Sequence, residues 1–204
     1  WWMAENLRSS RYADNTELVD GIGAGDINSD FTTKYHFPAN NSSINVPTYG
    51  YLYTWAAAMN SSTESGTQGA CPVGWHIPSD LDFKELELEL GMAANALDSS
   101  GFRGPGIGGK LKEVGFFSWL EPNLGGNNSD GFRAIPAGYR NPDGTYMGFG
   151  TAFNIWTSDA ISANQAWSRV LSNESHKIGR LGPEKNLGLA VRCIKDKDLI
   201  APQV

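Results

Sequence analysis

Two segments carry residue types and spacings associated with specific chemistry. Gly104-Pro105-Gly106-Ile107-Gly108-Gly109-Lys110 has most of the glycines and the lysine of a phosphate-binding loop. Such loops turn backbone N–H groups and the lysine onto a polyphosphate, and a following Ser or Thr holds Mg²⁺. Leu111 stands where that hydroxyl must be and no apolar strand leads in, so the run is read as a glycine-rich surface loop. Asp26, Asn28 and Asp30 have the D-x-N-x-D spacing of a calcium loop. Phe31 takes the place of its turn glycine and Phe37 that of its closing glutamate. An Asx-rich loop is therefore the reading, with calcium at Asp26, Asn28 and Asp30 as the alternative; no other cofactor is expected.

The remaining candidates for catalysis are scattered. His36, His76 and His176 have no cysteine or carboxylate at metal-ligand spacing, and His76 lies between Trp75 and Ile77, as a core or near-core histidine would. There are acids enough for a glycosidase pair, but the sequence singles out none. No enzyme is expected. A net charge of −6 and a pI near 5.0 argue against nucleic acid, which attracts basic patches. The longest apolar run, Tyr51 to Met59, is far shorter than the roughly 20 residues that span a bilayer.

These residues need a frame. The composition, 40% apolar and 19% charged, fits one globular domain, and 24 glycines suit short strands joined by long ordered loops. Residues 1–12 read as strand-like, and 12–47 as a long loop region with at most one short strand. Thr54 through Met59 is read as a short helix with Trp55 buried. The best helix starts at Pro78-Ser79-Asp80-Leu81-Asp82, with Ser79 as N-cap and Asp82 completing a capping-box-like pair. Phe83, Leu86 and Leu90 share one face, Glu85 and Glu89 the other, and Gly91 stops it. Residues 92–130 are glycine-rich and loop-like. Short strands follow over 132–136, 137–140 and 146–149, with Asn141-Pro142-Asp143-Gly144 as a turn, then over 154–158, 165–171 and 187–194.

Cys71 and Cys193 are far apart in the chain. A bridge closing a loop of about 120 residues would stabilise the fold by roughly 4–5 kcal/mol in the chain-entropy model. Spacing alone leaves a bridge and two buried thiols both open.

Several segments together resemble a known family. They are Trp2-Met3-Ala4-Glu5-Asn6-Leu7, Tyr53-Thr54-Trp55-Ala56-Ala57-Ala58-Met59 and Ala70-Cys71-Pro72-Val73-Gly74-Trp75-His76-Ile77-Pro78-Ser79. Gly109-Lys110-Leu111-Lys112, the run from Gly131 to Arg140, Trp156-Thr157-Ser158 and Ala190 to Asp196 continue them in order. The chain is similar to the Fibrobacter succinogenes major paralogous domain, common in surface proteins of Fibrobacter and Bacteroidetes bacteria. The resemblance implies an α+β, C-type-lectin-like fold, distantly related to formylglycine-generating enzymes, with one main helix, short and mostly antiparallel strands, and long ordered loops. It also implies a Cys71–Cys193 disulfide and hence an oxidising compartment. With both cysteines in structural positions, formylglycine-generating chemistry is not expected.

The domain is expected over 1–196 with a linker or tail over 197–204. The start, Trp1-Trp2-Met3, is read as that of a trimmed piece of a longer exported precursor. By the resemblance, the function is that of an extracellular bacterial surface binding or adhesion module, recognising a protein or glycan through loops and late strands. The alternative is a structural subunit of a surface filament or assembly. The candidate contact residues are Trp156, Asp159, Asn164, Trp167, Arg169 and Asn173, followed by Glu174, His176, Lys177, Arg180 and Lys185, where aromatic and polar side chains interleave.

Overall fold

The computed structural model describes residues 1–197. The chain first lays down β1 (Val19–Asp20), β2 (Tyr35–Pro38), α1 (Val46–Tyr49), β3 (Tyr51–Tyr53), α2 (Trp55–Met59) and β4 (Trp75–His76). Then come α3 (Asp80–Glu89), β5 (Gly101–Arg103), α4 (Ile107–Leu111), β6 (Tyr139–Arg140) and β7 (Tyr146–Met147). The late strands are β8 (Ala152–Ala160), β9 (Ala166–Ser172), β10 (Ile178–Leu181), β11 (Leu189–Ala190) and β12 (Ile194–Lys195). The architecture is α+β and strand-dominated. Residues 198–204, most of the expected tail, lie outside the described residues.

Eight strands form one mixed sheet in the order β1-β2-β3-β11-β8-β9-β10-β5. Most neighbours run antiparallel, but β1 with β2 and β11 with β8 are parallel. The centre is the β8–β9–β10 meander, in which Asn154 faces Val170, Trp156 faces Ser168, and Arg180 faces Arg169. Side chains alternate across a sheet. Phe153, Ile155, Leu171 and Ile178 pack with Phe83 of α3 and Trp119, while Trp156 packs with Tyr53, Trp55 and Leu189. Two indoles tie these layers to the backbone: Trp55 Nε1 donates to the Thr157 carbonyl at 2.9 Å and Trp156 Nε1 to that of Tyr53 at 2.7 Å.

Helix α3 forms where its sequence dictates. The Ser79 hydroxyl accepts from the Asp82 N–H, and the Asp82 carboxylate accepts from the Ser79 N–H, closing the capping box. Phe83 is buried and Leu86 and Leu90 half-buried on the inner face. Glu87 is also on that face and fully buried, because arginines wait for it across the sheet. Helix α2 starts at its own cap, with the Thr54 side chain accepting from Ala57 N–H.

Some expected elements differ. Residues 1–12 form no strand and make two isolated bridges, Trp2 to Ile194 and Arg11 to Glu17. Within 132–140 only Tyr139–Arg140 pairs as a strand, with isolated bridges at Ala134 and Gly138, and positive φ at Arg133 and Gly138 interrupts the extended backbone. Strands β5 and β10 arise in stretches that carry no clear alternation. The glycine-rich run at 104–110 turns into α4 instead of remaining a surface loop. Gly108 and Gly109 are buried there, and a Cβ on Gly108 would lie 2.1 Å from the Lys177 carbonyl oxygen. These glycines serve close helix packing, not phosphate.

Cys71 and Cys193 are bonded, joining the segment before α3 to that after β11. Next to the bridge, β4 pairs with β12, and His76 contacts two carboxylates, Asp196 at 2.6 Å and Asp82 at 3.5 Å.

Candidate functional site

The late strands divide their side chains between two faces. The inner face carries charge. Arg169 of β9, 1% exposed, reaches Glu87 Oε1 at 2.6 Å and Asp80 Oδ1 at 2.8 Å. Arg180 of β10 grips both Asp80 oxygens at 2.9 and 2.8 Å, and Arg103 of β5 takes Glu87 Oε2 at 2.6 Å. Lys84 bridges Asp80 to Asp98. The Arg180 guanidinium also lies 3.4 Å from the Trp167 ring centroid. Burial pushes the Asp80 carboxyl upward, but the Arg180 hydrogen bonds and the Arg169 charge outweigh it and hold the group well below the usual carboxylate range. Three strands thus clamp α3 through its two buried acids.

Most of the expected contact residues are consumed by this frame. Trp156 is fully buried, and Arg169 and Arg180 belong to the clamp. Asp159 takes the Asp80 N–H at the start of α3 and the Ser65 hydroxyl. Asn173 donates to the Glu121 carbonyl. Lys185 is held by the Ser162 and Ala163 carbonyls, 4.2 Å from the Trp55 ring centroid, and burial lowers its ammonium. Each of these side chains already has partners inside the fold. Trp167 and Lys177 are half-buried, Glu174 and His176 are exposed in the turn between β9 and β10, and Asn164 is exposed in the turn between β8 and β9.

What opens to solvent is the opposite face of the same strands, a groove of about 410 Å³. Ala152 and Asn154 of β8, Ser168 and Val170 of β9, and Leu181 of β10 form it together with Pro183, Leu187 and Leu189. Tyr139 and Asn141 lie along one side. Apart from the tyrosine phenol, the lining has no ionisable group. Asn154 is 8% exposed, and its amide nitrogen has no hydrogen-bond partner. Rotation about χ2 exchanges amide nitrogen and oxygen, so this side chain can offer a donor to a ligand without losing a bond. An apolar groove with a few polar groups is the usual form of a binding site. A depression of about 450 Å³ beside Tyr12, Asp14, Asn60 and Gln68 is larger, but turns and polar groups form it and no sheet underlies it.

The calcium alternative meets a different geometry. The Asp26 carboxylate accepts from Asn28 N–H, the Asp30 carboxylate accepts from Thr32 and Thr33 N–H, and the Asn28 carbonyl accepts from the Asn186 amide. Each acid closes its own Asx turn. Among the described residues, no group of three or more His, Cys, Asp and Glu is placed to hold a metal ion.

The sequence reading also missed a surface. In the loop 113–124, Phe117 is 86% exposed and Phe116 58%, with Val114, Leu120 and Leu124 exposed beside them. Buried groups pin this loop from beneath. Lys112, its ammonium lowered to about 8 by burial, donates to the carbonyls of Leu124, Ser172 and Ser175. Trp119 Nε1 donates to the Ala134 carbonyl, and the Asn123 amide to those of Glu113 and Gly115. The signal in the sequence is the apolar run Val114 to Trp119 inside a glycine-rich stretch.

The sequence model of the Fibrobacter succinogenes major domain matches residues 1–195. The chain belongs to this family. The family match therefore spans α3, the disulfide, the clamp and the groove together. No curated protein and no solved structure matches the chain. Among the described residues, no helix is long and apolar enough to cross a membrane.

Proposed function

We propose that this family member is an extracellular bacterial binding or adhesion module of C-type-lectin-like fold, exported within a longer precursor. Its groove would take an uncharged, apolar segment of a partner protein. The observation that carries this reading is the division of labour along β9: Arg169 and Leu171 serve the core, while Ser168 and Val170 face an open, uncharged groove. A rigid sheet floor keeps the ordering cost of binding low. Protein is favoured over glycan because the lining offers one aromatic ring, Tyr139, against the aliphatic Val170, Leu181, Leu187 and Leu189. The unpaired Asn154 amide beside them suits a peptide carbonyl. The disulfide is compatible with an oxidising compartment.

The test is to pan phage-displayed random peptides on the wild-type chain, with a soluble oligosaccharide panel in parallel. Apolar peptides should be retained, should bind Leu181→Asp at least tenfold more weakly, and should be indifferent to Asn164→Asp. Enrichment of nothing, or of binders insensitive to Leu181→Asp, overturns the groove reading. Binding of oligosaccharides alone, lost in Leu181→Asp, would replace the protein ligand with a glycan.

A further inference from the structure

The same chain carries both an apolar recess and an apolar projection. The recess is the groove over Ser168, Val170 and Leu181. The projection is the loop 113–124, whose Phe116 and Phe117 point into solvent from a backbone fixed by Lys112, Trp119 and Asn123. Apolar side chains held outward on a pinned loop are a pre-formed docking element, because little order remains to be imposed on binding.

We infer that the groove's occupant is the loop 113–124 of a second copy of this chain, exchanged reciprocally about a two-fold axis; this rests on the groove being a protein-binding site. Three observations favour a second copy. First, the groove lining has no charged side chain, and in the loop Glu113 is paired with Arg133 while the exposed Glu121 lies four residues beyond Phe117. An anionic membrane is the poorer partner for a chain of net charge −6 with no basic cluster.

Second, loop and groove are neighbours on one molecule. The Leu120 N–H donates to the Gly150 carbonyl at 2.7 Å, and its side chain covers Gly150, two residues before Ala152 in the groove. A two-fold operator requires that each patch meet the other's counterpart, and adjacent patches allow both contacts to form at once. Third, the area fits a weak dimer. Two phenylalanines of roughly 200 Å² each, exposed as these are, would remove about 300 Å² per loop. Two loops and the smaller open surface of the two grooves then give less than roughly 1,200 Å², the range of weak, concentration-dependent contacts.

The experiment is sedimentation equilibrium of the wild-type chain from micromolar to near-millimolar concentration, beside Phe117→Ser and Leu181→Asp. Both positions are exposed, and circular dichroism checks that each variant is folded. The wild type should reach the mass of a dimer and no more, and each variant should associate at least tenfold more weakly. Mixing the two variants restores one loop-to-groove contact, so the mixture should associate more strongly than either alone. A wild type that stays monomeric, grows past a dimer, or dimerises equally well as Phe117→Ser overturns the inference. If the wild type is monomeric but groove-dependent peptides are still selected, the groove reading stands and only the second copy falls. If neither is seen, both fall.

Discussion

Arg169 and Arg180 sit directly opposite one another on β9 and β10, and both turn inward onto the single carboxylate of Asp80. Like charges facing each other across a strand pair repel. Here Asp80 lies between them at 2.8 Å from each, and Glu87 holds the other side of Arg169. The pair therefore depends on α3 being docked, and the docking of α3 depends on the pair.

Asp80→Asn removes the charge that reconciles the two arginines. It should destabilise the fold by about 3–5 kcal/mol, the usual cost of leaving buried charges without their partner. Urea denaturation at neutral pH measures it, and a loss below about 1 kcal/mol would show that the clamp is peripheral to stability.

The same carboxylate sets an acid dependence. Its folded pKa lies below the unfolded value of about 3.9. Its stabilisation is therefore fully present above that value and is lost as pH falls through the folded pKa. The stability gap between wild type and Asp80→Asn should be constant from pH 7 to about 5 and should narrow at pH 3 and below. A gap already closing at pH 6 would contradict the assignment.

These charges explain why the sequence was legible for the frame and less so for the site. The α3 capping box, the Trp55 helix and the Asn141–Gly144 turn all rest on local rules, and the residues that make them are neighbours in the chain. Which face of β9 meets solvent is not local. In Ser168-Arg169-Val170, polarity alone sends Arg169 outward and Val170 inward. The structure reverses this, because the partners of Arg169 lie more than eighty residues earlier, on α3. An error of one residue in parity exchanges the two faces of a strand. Thus β8 and β9 are legible in the sequence and β10 is not, and the sequence does not show that Trp156, Arg169 and Arg180 pack inside the fold. The loop 113–124 was missed for a related reason: Lys112 and Trp119 anchor it through carbonyls that no sequence pattern marks.

Lys112→Met should expose that anchoring. It removes a donor from the Leu124, Ser172 and Ser175 carbonyls, of which Ser172 keeps the Ser175 N–H, at about 1–3 kcal/mol for each that stays buried and unpaired. Hydrogen exchange should quicken over 113–126 before it does in β8 and β9. Uniform quickening would mean that Lys112 supports the whole core and not the loop.

The disulfide can be tested without the groove. Cys71 and Cys193 are separated by 122 positions, so Cys71→Ser with Cys193→Ser should cost about 4–5 kcal/mol and lower Tm by roughly 10–15 °C. A loss of less than about 1 kcal/mol would mean that residual structure in the unfolded chain already holds these segments together.

The central claim is that partners bind on the outer face of the late strands, and the most direct measurement is an amide chemical-shift map of the ¹⁵N-labelled chain titrated with a peptide selected on it. The shifts should cluster at Asn154, Ser168, Val170 and Leu181, with Tyr139 beside them. Perturbations confined to the depression around Tyr12, Asn60 and Gln68, or to the turns around Asn164 and Glu174, would place the binding surface elsewhere and contradict the account.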